Sequence, residues 1–148
     1  MRDKDIVANL FPSFTIGKIK SFISLTKPRL LSSVIFSTVL GYILPLDSIL
    51  NFSSLNFLII GTALLGGGAN TINQWQEQVQ DSKMIRTRKR PLPMGHLSSL
   101  ESLIFGIIIS VAGTITLWLG LNLYTSIVGI ITLLTYTLVY TPLKQKTV

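Results

Sequence analysis

The chain has 148 residues, of which 48% are hydrophobic and 13% are charged, and its mean hydropathy is +0.56. These values exclude an ordinary soluble domain, in which about 25% of residues are charged, and they favour a membrane protein. The absence of cysteine excludes disulfides and thiolate metal sites. The net charge of +7 does not indicate a nucleic-acid partner, because the basic residues lie in blocks that alternate with hydrophobic runs.

Residues 1–25 mix charged and apolar residues, and they lack the order of a cleaved signal peptide. We expect them to form an amphipathic lead-in at the membrane surface, and a disordered tail is the alternative. Pro28 then suits the first turn of a helix, because its missing N–H would be unpaired there anyway.

Three stretches without a charged residue follow, 30–46, 48–76 and 102–143, with 17, 29 and 42 residues. A helix crosses the hydrocarbon core with about 20 apolar residues, so these stretches fit one, one and two spans. The last stretch has turn-compatible residues at 120–122. We therefore predict an all-α membrane protein with about four transmembrane helices, at about 30–46, 55–72, 103–119 and 123–143.

The 13 Lys and Arg residues lie in three blocks, 2–29, 83–90 and 144–146, and none lies in the loops at 47–54 and 120–122. By the positive-inside rule, both termini and the loop at 73–99 face the cytoplasm, or the matrix in a mitochondrion.

The segment after the second apolar run contains the candidate functional residues. Asn73, Glu77 and Asp81 are spaced four residues apart, so on a helix all three can face one cavity. They are oxygen donors, which suit a hard cation such as Mg²⁺ that bridges protein carboxylates to phosphates. Five cations follow within 83–90, and guanidinium groups bind phosphate oxygens in bidentate fashion. The alternative is a solvated helix face followed by a topology determinant that contacts anionic membrane lipid.

Two other features each have a purely structural interpretation and a functional one. Gly66, Gly67 and Gly68 allow close approach of another backbone or of a ligand. Ordinary helix packing would explain an isolated glycine run, and the polar residues that follow this one favour the functional interpretation. His96 is the only histidine, and it is either a heme ligand or a solvated interfacial residue. We favour the latter and leave His96 out of the catalytic set.

The order of these motifs resembles a known family. The stretch 73–81, NQWQEQVQD, fits the pattern NxxxDxxxD with Glu at the middle position. This pattern is the first aspartate-rich motif of the UbiA superfamily of intramembrane prenyltransferases. Residues 81–95, DSKMIRTRKRPLPMG, fit D-x-x-M-x-R-T-x-x-R-P-L-x-x-G, which is similar to the protoheme IX farnesyltransferase family within it. The stretches 25–29, LTKPR, and 140–144, YTPLK, are similar to the same family.

The resemblance implies the N-terminal half of a UbiA-type helical bundle, in which residues 1–148 form a single partial domain and 73–99 is a substrate loop. It also implies a bacterial plasma membrane or a mitochondrial inner membrane as the location. It also implies farnesyl transfer from farnesyl diphosphate to a vinyl group of heme b, which gives heme O. By the same resemblance, the catalytic residues are Asn73, Glu77 and Asp81, which hold magnesium and diphosphate. Diphosphate oxygens are then bound by Lys83, Arg86 and Arg90.

The sequence departs from the family pattern in two ways. Glu77 replaces the commoner Asp, which keeps the carboxylate and lengthens its reach. No Asp or Glu follows Glu101, whereas the family has a second aspartate-rich motif in its second half. We therefore expect an incomplete chain without full activity alone, which is either truncated or completed by a separate chain. Two other hypotheses stay open: a UbiA-type prenyltransferase for an aromatic or quinone precursor, and a non-catalytic membrane assembly protein.

Overall fold

The computed structural model describes residues 16–44 and 50–147, and every regular element in these ranges is helical. The first fifteen residues of the expected lead-in and residues 47–49 of the 47–54 loop lie outside the described residues. The elements in chain order are α1 (Ile16–Leu25), α2 (Pro28–Ile43), α3 (Phe52–Lys83), α4 (Ser99–Gly120), α5 (Leu123–Leu134), a π-helical segment (Thr135–Tyr140) and α6 (Thr141–Thr147). The predicted all-α fold class is confirmed.

Polar side chains cap the long helices at their N-termini. The Asn51 side chain accepts hydrogen bonds from the backbone N–H groups of Ser53 and Ser54 at 3.1 and 3.2 Å. Ser98 and Glu101 form a reciprocal capping box at the start of α4. Such caps satisfy N–H groups that the first helical turn leaves without a partner. The helices therefore begin at polar residues that directly precede the apolar runs.

Three helical stretches are long and apolar enough to cross a membrane: Phe52–Lys83, Ser99–Gly120 and the continuous Leu123–Gln145. Helix α2 is a shorter apolar helix of 16 residues. Helix α3 has 32 residues, which corresponds to about 48 Å and exceeds a hydrocarbon core of about 30 Å. It continues to Lys83, so the first eleven residues of the expected 73–99 loop are helical. Hydropathy alone placed the end of this helix too early, because polar residues that pack inside a bundle also form helix.

The distribution of side chains is that of a membrane bundle. Large apolar residues face outward, among them Ile108, Leu119 and Ile131, whose exposed fractions are 59%, 73% and 57%. The buried faces of α3 and α4 carry many small or polar residues, including Gly61, Gly68, Ser102, Gly106, Ser110 and Gly113. In lipid, burial of apolar surface gives no driving force for helix association. Small residues instead let helix backbones approach closely and gain packing contacts.

The glycine run of α3 packs against three different neighbours. A Cβ atom on Gly66 would lie 2.8 Å from Leu31 of α2, and one on Gly67 would lie 3.3 Å from Thr26. A Cβ atom on Gly68 would clash with the Ser110 side chain of α4. Successive helical residues point about 100° apart, so three consecutive glycines face three different parts of the structure. The run places the polar half of α3 in the middle of the other elements, and its close contacts are with protein.

Candidate functional site

The polar face of α3 forms the centre of the site. Asn73, Glu77 and Asp81 are buried, with exposed fractions of 1%, 5% and 4%. The Asn73 Nδ2 donates to Glu77 Oε2 at 3.1 Å, and the Thr141 hydroxyl donates to Asn73 Oδ1 at 2.8 Å. The structure therefore brings the three predicted residues together on one helix face. Their assignment to a metal and a diphosphate stays a prediction.

The segment after α3 folds back so that Arg90 reaches both carboxylates. The Arg90 guanidinium donates to Asp81 Oδ2, and its NH1 atom lies 4.0 Å from Glu77 Oε2. Near its start, the Thr87 hydroxyl donates to the backbone carbonyl of Asp81 at 3.0 Å. Near its end, Leu92 and Leu97 are buried together with Leu25, and Trp75 packs against this cluster. These contacts hold Arg90 against the acidic face of α3.

Lys144, for which the sequence predicted no role, completes the ion pairs. Its Nζ donates to Glu77 Oε1 at 2.8 Å. The preceding π-helical segment changes the register of the last span, because a π-helix holds more residues per turn than an α-helix. Thr137 and Gln145 also contact α3, through Gln76. The available signal was that Lys144 is the first charged residue after 42 uncharged ones.

These residues line a cavity of about 390 Å³. Its volume lies within the range of about 300 to 1,000 Å³ that is common for small-molecule sites. The lining residues are Glu77, Gln80, Asp81, Lys83, Met84, Arg86, Thr87, Arg90, Lys144 and Gln145. Four of them are cationic and two are anionic, so the lining has a net charge of +2. This charge favours an anionic ligand.

The other predicted basic residues are placed differently. Lys83 and Arg86 are exposed at the cavity and form no ion pair within the described ranges. They are free to contact a ligand. His96 is exposed and lines a separate groove of about 540 Å³ together with Lys18 and Lys20 of α1. It is not part of the cavity.

Lys27 is a second cation for which the sequence predicted no role. The turn that carries it is hydrogen-bonded to Gln74 of α3, one helical turn before Glu77, so Lys27 lies near the same cavity. The charges of Glu77, Asp81, Arg90 and Lys144 act on its ammonium group. Burial lowers the pKa of Lys27, and the neighbouring Arg90 lowers it further. The two carboxylates oppose this shift. One cation from each of the three basic blocks, Lys27, Arg90 and Lys144, therefore meets at one end of the bundle.

The donor set fits magnesium only together with a second ligand. The side chains of Asn73, Glu77 and Asp81 offer hard oxygen atoms, and the buried Gln80 Oε1 has no hydrogen-bond partner among the described residues. The described part of the chain contains no group of three or more His, Cys, Asp or Glu residues that would hold a metal by itself. Magnesium commonly takes few protein ligands and completes its shell with phosphate oxygens and water. The site fits that type of coordination.

Comparison with known proteins agrees with this geometry. Residues 34–148 match the UbiA prenyltransferase family. The chain belongs to this family. The protoheme IX farnesyltransferase of Solibacter usitatus is 41% identical, over 86% of this chain and 47% of that protein. The corresponding protein of Rhodopirellula baltica is 40% identical, over 84% and 44%. The mitochondrial protoheme IX farnesyltransferase of Yarrowia lipolytica is 38% identical, over 84% and 26%.

The chain spans about half the length, or less, of these curated relatives. No solved structure matches it significantly. Family membership and the three long apolar helices make this UbiA-family chain an integral membrane protein. The expected resemblance to the UbiA superfamily is thereby confirmed.

Proposed function

We propose that this chain forms the diphosphate-binding part of a protoheme IX farnesyltransferase. The observation that carries the proposal is the cavity in which two buried carboxylates of α3 face cations from the 84–98 segment and from α6. The relatives named protoheme IX farnesyltransferase support farnesyl diphosphate as the donor and heme b as the acceptor.

The existing ion pairs favour joint binding of magnesium and diphosphate. Glu77 and Asp81 are already paired with Lys144 and Arg90, and a buried charge that loses its partner is costly. A metal ion alone would have to displace these cations and leave them without a counter-ion. A diphosphate offers the displaced cations new oxygen partners. We therefore expect Mg²⁺ to bind this site at least ten times more weakly without pyrophosphate than with it.

The chain's residues then have defined roles in the proposed reaction. Asn73, Glu77 and Asp81 would hold magnesium, which when bound neutralises charge on the departing diphosphate. Arg90, Lys83, Arg86 and Lys144 would bind diphosphate oxygens and stabilise the negative charge that develops as the allylic C–O bond breaks. In the proposed reaction, the electron pair of the heme vinyl group forms the new C–C bond as diphosphate leaves. Water then adds to the resulting carbocation and releases a proton, which gives the hydroxyl group of the product.

The orientation of the cavity is part of the proposal. The three basic blocks contribute Lys27, Arg90 and Lys144 to the same end of the bundle. Loops rich in Lys and Arg remain on the side of the membrane from which the chain inserts. We therefore propose that this end faces the cytoplasm, or the matrix in a mitochondrion.

A binding assay tests the site. The purified chain in nanodiscs is titrated with inorganic pyrophosphate in the presence of Mg²⁺, and the dissociation constant is measured by calorimetry. We expect Glu77→Gln and Asp81→Asn each to weaken binding at least tenfold. Glu101→Gln is the matched control, because Glu101 is the other acidic residue in the described ranges and pairs with Lys18 outside the cavity. Binding by both site variants at wild-type affinity would contradict the proposal.

An activity assay tests the reaction. The chain is co-expressed with the C-terminal half of the Solibacter usitatus relative in a strain that lacks heme O, and the extracted hemes are analysed. Heme O that disappears with Asp81→Asn supports the proposal. A prenylated aromatic acid in its place points to a quinone-type acceptor, and neither product from assembled halves contradicts prenyl transfer. Omission of the second half tests the expectation that the chain alone lacks full activity.

A further inference from the structure

Two buried amides of α3 hold the turn between α1 and α2. Gln74 Nε2 donates to the backbone carbonyl of Leu25 at 2.8 Å, and Asn70 Nδ2 donates to that of Thr26 at 3.0 Å. Asn70 and Gln74 are only 4% and 2% exposed. A Cβ atom on Gly67 would lie only 3.3 Å from the Thr26 side chain, so the turn packs closely against α3. The turn is therefore fixed against the polar half of α3 by specific contacts.

The next residue, Lys27, has an unusual backbone conformation. Its φ angle is +52°, and it is the only non-glycine residue with a positive φ in the described ranges. The left-handed region costs a side-chain-bearing residue about 1 to 2 kcal/mol, and such outliers cluster at functional sites. Pro28 follows directly and begins α2. A strained residue between two helices persists because the surrounding hydrogen bonds hold it.

This conformation leaves the Lys27 ammonium group half-buried and without a hydrogen-bond or ion-pair partner among the described residues. Gln74, which holds the turn before Lys27, lies one helical turn from Glu77 on α3, so the turn is adjacent to the cavity. The charges of Glu77, Asp81, Arg90 and Lys144 act on the Lys27 ammonium group. Each of the two carboxylates is already paired with another cation. An unpaired, half-buried cation beside a cavity of net positive charge favours the binding of an anionic ligand there.

We propose that Lys27 binds the anionic group of the ligand in the cavity, and that Asn70 and Gln74 are positioning residues that hold Lys27 there. The inference rests on the proposed function, because the expected anion is the diphosphate group. The simpler alternative is that the two amides only attach α1 and α2 to α3.

A double-mutant cycle separates these two explanations. The full chain in nanodiscs is titrated with magnesium and inorganic pyrophosphate, as above. We expect Lys27→Met to weaken binding about tenfold, which is the loss of one charge-assisted contact. Gln74→Met, which keeps the side-chain length and removes the donor, should weaken binding by a similar factor. If Gln74 acts through Lys27, the double variant binds no more weakly than Lys27→Met alone. A double variant with the product of the two effects, about a hundredfold loss, would show independent roles and overturn the positioning proposal.

Two further variants control for charge and for folding. Lys18→Met removes a lysine of α1 that pairs with Glu101 outside the cavity, and its affinity should stay within twofold of the wild type. Lys27→Arg retains the charge and should restore most of the affinity, which a purely structural role of the turn does not predict. Thermal melting of each variant in detergent shows whether it is folded.

The outcomes also separate this inference from the proposed function. If Asp81→Asn loses binding while Lys27→Met binds as the wild type does, the inference is wrong and the diphosphate site stands. If the wild-type chain does not bind magnesium pyrophosphate, both are wrong. If Lys27→Met loses binding and Asp81→Asn does not, Lys27 belongs to an anion site that does not use the α3 carboxylates.

Discussion

Replacement of Arg90 by methionine is expected to affect folding and ligand binding through different interactions. Without ligand, Arg90 is the ion-pair partner of Asp81 and lies 4.0 Å from Glu77. Loss of one partner of a fully buried pair costs about 3 to 5 kcal/mol. The Arg90 side chain is 29% exposed and faces a cavity, so we expect a smaller loss of about 2 kcal/mol.

The same substitution removes a cation that we propose to bind diphosphate. A hydrogen bond to a charged group contributes about 1.5 to 3 kcal/mol, so the affinity for magnesium pyrophosphate should fall by about 10- to 150-fold. The two effects are separable because the stability loss comes from an unpaired Asp81. Asp81→Asn in the Arg90→Met background removes that charge and should recover most of the stability, while binding stays weak.

Thermal unfolding in detergent and calorimetric titration in nanodiscs measure the two effects. Arg88→Met is the matched control, because Arg88 belongs to the same basic segment, is exposed and does not line the cavity. Its melting temperature and affinity should stay close to those of the wild type. The reasoning is refuted if Arg90→Met has wild-type stability and affinity, or if Asp81→Asn lowers the stability of the Arg90→Met chain further.

Three more predictions follow from the packing and the cavity. Gly68→Val should prevent stable packing of α3 against α4, because its Cβ atom would lie 2.8 Å from the Gly106 carbonyl oxygen. Gly41→Ala is the control, because a Cβ atom there has no neighbour within 4 Å, and this variant should fold. Size-exclusion chromatography in detergent compares the two variants. Thr141→Val keeps the shape of the side chain and loses the hydrogen bond to Asn73, so the unfolding free energy should fall by about 1 kcal/mol in a denaturant titration. Arg86→Ala should leave the melting temperature unchanged, because Arg86 is exposed and unpaired within the described ranges, and should weaken magnesium pyrophosphate binding by about fivefold in the titration.

The helical fold and the location of the polar site were predictable from local patterns. Uncharged runs indicated the spans, and Asn73, Glu77 and Asp81 at four-residue spacing indicated one helix face. The structure agrees on both features, since the three residues are buried along one side of α3. The length of α3 was not predictable from hydropathy, because the same polar residues that end an apolar run continue the helix inside the bundle.

The partners of the carboxylates were not predictable in this way. Lys144 lies 67 residues from Glu77 in the chain, and their contact depends on the packing of the last span against α3 and on its π-helical segment. Lys27 depends on the turn between α1 and α2 and on the amides that hold it. No periodicity within one segment encodes a contact between segments of this separation.

The sequence by itself determined the class of this protein: a helical membrane protein in which an apolar span is followed by regularly spaced Asn, Glu and Asp side chains and then by clustered cations. Those features depend on composition and on residue spacing within single helices. Neither of these depends on tertiary contacts. Only the tertiary structure decided which cations meet the carboxylates, because that choice depends on how three elements pack around the glycine run of α3. Arg90 and Lys144 form ion pairs there, and Lys27 is held nearby without a partner among the described residues.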